Sequence, residues 1–127
     1  MKILLVGFGK MNKLIYDLYE ELIVGICDID RWEIRDKPDV IIDFSHSDFY
    51  PQLIKLIKEY QCPVIIGTTN YELEKIAQLR EISTEIPILM SANFSVGIYL
   101  LEKIIKENEK MLSLFDKEII ETHHKMK

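Results

Sequence analysis

The sequence is most informative first for what it has little of. Its 127 residues contain two cysteines, Cys27 and Cys62, far apart and without Cys-x-x-Cys or zinc spacing. That excludes a disulfide framework and a structural zinc cluster, and the pair reads as reduced core thiols of a cytoplasmic protein. No apolar run approaches the roughly 18–20 residues of a membrane span, so no membrane partner is expected. Positive charge is also short: 16 Lys and Arg stand against 21 Asp and Glu, a net charge of −5, which disfavours nucleic acid as a partner. There is no internal repeat, low-complexity segment or Gly/Ser/Pro-rich linker. Met1 leads directly into an apolar run, so no signal peptide is expected. What remains is 48% hydrophobic and 29% charged, a balance that suits one compact domain with a real core.

The stretch that organises this domain is Gly7-Phe8-Gly9-Lys10-Met11-Asn12. It follows the apolar run Ile3 to Val6 and precedes a helix-like run from Leu14 to Leu22. Strand, glycine turn and helix open a dinucleotide-binding βαβ unit. Two glycines permit a tight turn and close backbone approach, and the helix N-terminus aims unpaired N–H groups and a positive dipole end at a pyrophosphate. The third glycine of the usual pattern is absent, and Asn12 stands in its place. A plain glycine turn between strand and helix is the alternative reading.

Further strands are expected at 23–27, 39–44, 63–67 and 86–90, with residues 29–38 as a polar loop. Helices are expected over about 47–60, 71–83 and 96–112. The first helix should turn Met11, Leu14, Ile15, Leu18 and Leu22 inward, and the last should bury Ile98, Leu101, Ile104 and Ile105. Thr69-x-x-Glu72 reads as a capping box. Residues 115–122 have strand character. Strands alternating with helices predict an α/β, Rossmann-like doubly wound parallel sheet, which binds ligands outside the C-terminal ends of its strands.

The polar and glycine clusters all follow strands, as that rule requires. Asp28, about 20 residues past the glycine turn, suits the adenosine ribose hydroxyls. It would repel a 2′-phosphate, but Lys10 and Arg31 are near enough in sequence to offset this, so NAD is mildly favoured and NADP stays open. A solvated loop acid is the alternative. Gly67-Thr68-Thr69 offers backbone and two hydroxyls to a nicotinamide and its ribose, or serves only as a helix cap. Ser91-Ala92-Asn93-Phe94 could line the ring, with Ser95 a simple N-cap. His123, His124 and Lys127 could deliver the proton that must accompany a hydride, or form a solvated tail. No third ligand cluster lies near the histidines, so no metal is expected.

Read together, five segments resemble the 4-hydroxy-tetrahydrodipicolinate reductase (dihydrodipicolinate reductase) family. They are Val6 to Asn12, Asp39 to Ser45, Gly67 to Thr69, Ser91 to Gly97, and Glu121-Thr122-His123-His124-x-x-Lys127. The resemblance implies NAD(P)H-dependent reduction of 4-hydroxy-tetrahydrodipicolinate to tetrahydrodipicolinate, with loss of water, in lysine and diaminopimelate biosynthesis. It implies catalytic roles for His123, as proton donor or acceptor, and Lys127, as an acid, and His124 as a ligand of the substrate carboxylate. It places the cofactor on Gly7, Phe8, Gly9, Lys10, Met11, Asn12, Asp28, Phe44, Ser45, Gly67, Thr68, Thr69, Ser91, Ala92, Asn93 and Phe94. It implies a homotetramer for a full-length protein. The resemblance divides the chain into a dinucleotide-binding domain, 1–113, and the first strand of a truncated substrate-binding and oligomerisation domain, 114–127. Without the partner strands of that second domain, His123 and Lys127 are not expected to be held in catalytic geometry, and this chain should bind cofactor with little activity alone. A non-catalytic NAD(P)-binding module and a different amino-acid dehydrogenase are the alternatives.

Overall fold

The computed structural model describes residues 1–120. It forms two compact units, Met1–Asn93 and Phe94–Lys127. The first unit holds six strands: β1 (Ile3–Val6), β2 (Ile23–Asp28), β3 (Arg31–Ile34), β4 (Val40–Asp43), β5 (Val64–Ile66) and β6 (Ile88–Met90). Their order is β3-β2-β1-β4-β5-β6. Every pairing is parallel except β2 with β3. Three helices belong to this unit, α1 (Lys10–Tyr19), α2 (Tyr50–Tyr60) and α3 (Leu73–Ile82).

The sheet is covered on both faces because β1 is apolar on both. Leu4 and Val6 point into a core shared with Leu53, Leu56 and Ile57 of α2 and Leu79 of α3. Ile3 and Leu5 point the other way, into a smaller cluster with Ile15 and Tyr16 of α1. Successive side chains of a strand point to opposite faces and i and i+2 share one, so one strand feeds two layers. This is the doubly wound arrangement expected from the sequence. Each large apolar side chain buried in the two layers contributes roughly 1.5–3 kcal/mol. α2 opens with Pro51 in its first turn, where no N–H is needed. It ends on Gln61 in the left-handed region, φ 51°, with its N–H bonded to the Ile57 carbonyl. Cys27 and Cys62 are free thiols, both buried. Burial pushes the Cys27 thiol up to about 11.

Several local expectations give way. Residues 31–34, expected as loop, form β3, joined to β2 by the two-residue turn Ile29-Asp30. Arg31-Trp32-Glu33-Ile34 alternates polar and apolar, which a half-buried edge strand requires. α1 docks through Asn12, Ile15 and Tyr16, while Met11, Leu14 and Leu18 are exposed. The capping box does not form, and Glu72 occupies the N-cap of α3 without a side-chain bond.

The second unit contains α4 (Val96–Glu107) and α5 (Glu109–Leu112). Ser95 caps α4, its Oγ accepting the Ile98 N–H. The expected single helix breaks at Asn108, whose side-chain amide donates to the Ile104 carbonyl at 2.8 Å; such local side-chain bonds compete with helix continuation. Ile98, Leu101, Ile104 and Ile105 are exposed rather than buried. One helical layer has no second layer within its unit to cover such a stripe. Residues 116–120 carry no regular structure, so the expected strand over 115–122 does not form within the described residues.

Candidate functional site

Five strands run parallel, so their C-terminal ends share one edge of the sheet. Chain segments leaving that edge include Gly7 to Asn12 after β1, Asp28 at the end of β2, Phe44-Ser45 after β4, Gly67-Thr68-Thr69 after β5 and Ser91-Ala92-Asn93 after β6. β1 lies between β2 and β4. The segments after the neighbouring strands β1 and β4 lead to helices on opposite faces of the sheet, α1 and α2, and the crevice between such segments is where doubly wound sheets take ligands.

The glycine turn is held from three directions. Gly7 has φ +79°, and a methyl placed there would lie 2.6 Å from the Ser45 Cα and 2.9 Å from the Phe44 carbonyl oxygen. Only glycine permits both the conformation and the approach. Gly9 differs, because a methyl there would meet nothing within 4 Å. That open space fronts the start of α1, where the first-turn N–H groups have no intrahelical partners. Asn12 is fully buried. Its side-chain amide donates to the carbonyls of Val6 at 2.8 Å and Gly7 at 2.7 Å, and its Oδ1 has no partner. Where a third glycine would bring helix and strand close by lacking a side chain, Asn12 joins them with one. Phe8 donates its N–H to Asp28 Oδ2 at 2.8 Å. Asp28 Oδ1 accepts the Ile29 N–H at the same distance, closing the turn into β3. The Phe8 ring packs edge-on against Tyr16, with the Arg31 guanidinium 5.5 Å and the Lys13 ammonium 5.9 Å from its centroid.

The loops after β4 and β5 are interlocked. A methyl at Gly67 would overlap the Phe44 ring. The Ser45 N–H is shared between Thr68 Oγ1 at 2.9 Å and Asp43 Oδ1 at 3.1 Å. The Ser45 hydroxyl donates to Asp43 Oδ1 at 2.5 Å, and the Tyr71 hydroxyl to Asp43 Oδ2 at 3.1 Å. Asp43 is fully buried. Burial raises its carboxyl above the ordinary range, opposed by the Ser45, Thr68 and Tyr71 bonds. Burial, reinforced by Asp43, likewise pushes the Tyr71 hydroxyl up, so it stays a donor.

After β6, the Ser91 N–H bonds to the Ile66 carbonyl, extending the pairing of β5 and β6. The Ser91 hydroxyl donates to the Asn93 carbonyl at 2.7 Å and accepts the Asn93 N–H at 3.2 Å. Phe94 falls in the second unit. His123, His124 and Lys127 lie outside the described residues. Among the described residues no group of three or more potential ligands could hold a metal.

A cleft of about 410 Å³ opens beside Asp28 and Ser45, lined also by Trp32, His46, Phe49 and Gln52. The Trp32 and Phe49 rings are 6.2 Å apart, tilted by 37°. His46 Nδ1 accepts the Asp48 N–H at 3.3 Å, capping the 3₁₀ turn Ser47–Phe49 that leads into α2. His46 belongs to the strand-end cluster Phe44-Ser45-His46 that the sequence marks, but sequence reasoning missed Trp32, Phe49 and Gln52 as site residues. The signal was the polar–apolar alternation of residues 31–34, which carries Trp32 to the rim.

Comparison with known proteins identifies the family of the chain. The family described as "Dihydrodipicolinate reductase, N-terminus" matches residues 21–94. A 4-hydroxy-tetrahydrodipicolinate reductase of Caldanaerobacter subterraneus subsp. tengcongensis is 44% identical, over 94% of this chain and 53% of that protein. Proteins of the same name from Brachyspira hyodysenteriae and Staphylococcus haemolyticus are 36% and 34% identical, each over 100% of this chain and 55% and 58% of their own lengths. The chain thus spans about half the length of the curated relatives it matches.

Proposed function

The chain belongs to the dihydrodipicolinate reductase family, and we propose that it is the pyridine-nucleotide-binding part of an enzyme that reduces 4-hydroxy-tetrahydrodipicolinate in lysine and diaminopimelate biosynthesis. One observation carries the nucleotide half of this reading. The glycine turn is built tight at Gly7 and left open at Gly9, directly before the unpaired N–H groups of α1. A diphosphate fits that combination, since it needs close backbone approach, donors and a positive dipole end. Asn12 holds the turn on β1, and Asp28 fixes it through the Phe8 N–H.

The cleft beside Asp28 has the size and the aromatic lining for an adenosine. Asp28 keeps lone pairs for ribose hydroxyls. Arg31, beside Phe8, is the cation for a 2′-phosphate but is ion-paired with Glu33 at 2.9 Å, so NADH is mildly favoured and NADPH is the second candidate. The nicotinamide half lies toward Phe44, Gly67 to Thr69 and Ser91 to Asn93, whose hydroxyl and backbone groups orient the ring and its amide. The reduced nucleotide supplies the hydride. His123 and Lys127 handle the accompanying protons, and His124 binds a substrate carboxylate; these three roles rest on the family resemblance of the Glu121 to Lys127 segment. The small-molecule substrate, the homotetramer of a full-length enzyme and a cytoplasmic location are parts of the same proposal. No described helix is long and apolar enough to cross a membrane.

Titration of the 127-residue chain with NADH and NADPH, followed by nucleotide fluorescence, tests the binding half. Saturable binding of at least one is expected. An assay of freshly prepared substrate tests the other half, and little turnover by this chain alone is expected. Failure to bind either nucleotide refutes the proposal. Binding with turnover of another amino-acid-derived acceptor in place of the named substrate would favour a different dehydrogenase on the same cofactor domain.

A further inference from the structure

We propose that Asp43 is a positioning residue for the nicotinamide end of the site, setting the loops after β4 and β5 without itself touching the nucleotide. The proposal rests on the nucleotide-binding reading above. A carboxylate is among the most costly side chains to bury, and an apolar residue would fill the same space with less penalty. Asp43 is nonetheless fully buried, at the last position of β4.

Its hydrogen bonds show what the carboxylate does there. Oδ1 accepts both the hydroxyl and the N–H of Ser45, in the loop after β4. That same N–H also reaches Thr68 Oγ1, in the loop after β5. Oδ2 accepts the Tyr71 hydroxyl, just before α3, and the Tyr71 ring packs edge-on against Tyr50 at the start of α2, 5.3 Å between centroids. One carboxylate therefore fixes the distance between two strand-end loops and ties both to the helical layer. An amide cannot substitute, because one of its two ends donates rather than accepts. The glycine turn has its own supports, Asn12 and Asp28. The two ends of the site are thus held by different polar groups, meeting where Gly7 packs against Ser45, and residues 8–12 should keep their geometry when Asp43 is replaced.

The test compares NADH with ADP-ribose, which keeps the adenosine and diphosphate but lacks nicotinamide. Dissociation constants for both are measured on the wild-type chain, on Asp43→Asn and on Tyr71→Phe, which keeps the ring and removes one donor. The ratio of NADH affinity to ADP-ribose affinity is expected to fall roughly tenfold in Asp43→Asn and about threefold in Tyr71→Phe. Amide hydrogen exchange should quicken in 44–46 and 67–69 and stay unchanged in 8–12. An unchanged ratio in variants that still fold overturns the positioning role. So does an equal loss of both ligands, the mark of a merely structural residue. If Asp43→Asn does not fold, the ratio in Tyr71→Phe decides. If the wild type binds neither ligand, the nucleotide reading itself falls and takes this role with it; if it binds both and only the ratio fails to move, the nucleotide reading stands.

Discussion

The two glycines of the first turn make opposite demands, and replacing each by alanine separates fold from function. At Gly7 the added methyl would stand 2.6 Å from the Ser45 Cα, 2.8 Å from its Cβ and 2.9 Å from the Phe44 carbonyl oxygen, on a backbone with φ +79°. The left-handed conformation costs an alanine about 1–2 kcal/mol. The neighbours are mostly backbone atoms that cannot swing aside, and forcing a methyl among them adds about 1–3 kcal/mol. The total, roughly 2–5 kcal/mol, is a large share of the 5–15 kcal/mol that typically holds a domain. In urea, where such domains lose about 1–3 kcal/mol per molar, the midpoint of Gly7→Ala should fall by roughly 1–2 M. Gly9 has an ordinary φ of −76° and open space in front, so Gly9→Ala should leave stability within about 0.5 kcal/mol of the wild type. Its methyl instead occupies the approach proposed for the diphosphate, and NADH should bind at least about tenfold more weakly. Urea unfolding and fluorescence titration of both variants check this. A Gly7→Ala protein that melts like the wild type, or a Gly9→Ala protein that binds NADH like the wild type, refutes the reasoning for that position.

Two further outcomes follow from buried polar groups. Asn12→Asp keeps the shape but turns an oxygen toward the Val6 and Gly7 carbonyls, which the amide now meets at 2.8 and 2.7 Å; the variant should lose about 3 kcal/mol at pH 7, and urea unfolding should show a smaller loss at pH 5, where the acid more readily carries a proton. Asp43 has a carboxyl raised by burial in the folded state, so its titration favours folding fully below the unfolded value of about 3.9, and that contribution is lost as pH rises through the higher folded value. The stability of the wild type relative to Asp43→Asn should therefore decline from pH 4 to pH 7 in denaturant melts, and a flat difference would contradict the raised carboxyl.

Much of the architecture was readable because parallel strands buried on both faces are nearly continuous apolar runs. Ile3 to Val6, Val40 to Ile42 and Val64 to Ile66 announce themselves in this way, and the glycine and hydroxyl clusters fall where each ends. What escaped depends on partners distant in sequence. β3 is charged at Arg31 and Glu33, and its strand character comes from pairing with β2 rather than from hydrophobicity. α1 was read by its apolar stripe, but a polar residue, Asn12, takes the innermost place because two strand-end carbonyls need its amide. The cleft was invisible because Trp32 reaches it only once the β2–β3 hairpin forms. The bonds from Asp43 to Ser45 and Tyr71 span two and 28 residues, and no spacing rule foretells the longer one.

Cys27 gives the sheet a built-in clock. It lies on β2, flanked by β1 and β3, and its side chain is fully enclosed. Alkylating reagents attack the thiolate, yet this thiol is held protonated to about pH 11. Labelling at neutral pH must therefore wait until the strands part, and its rate counts those openings.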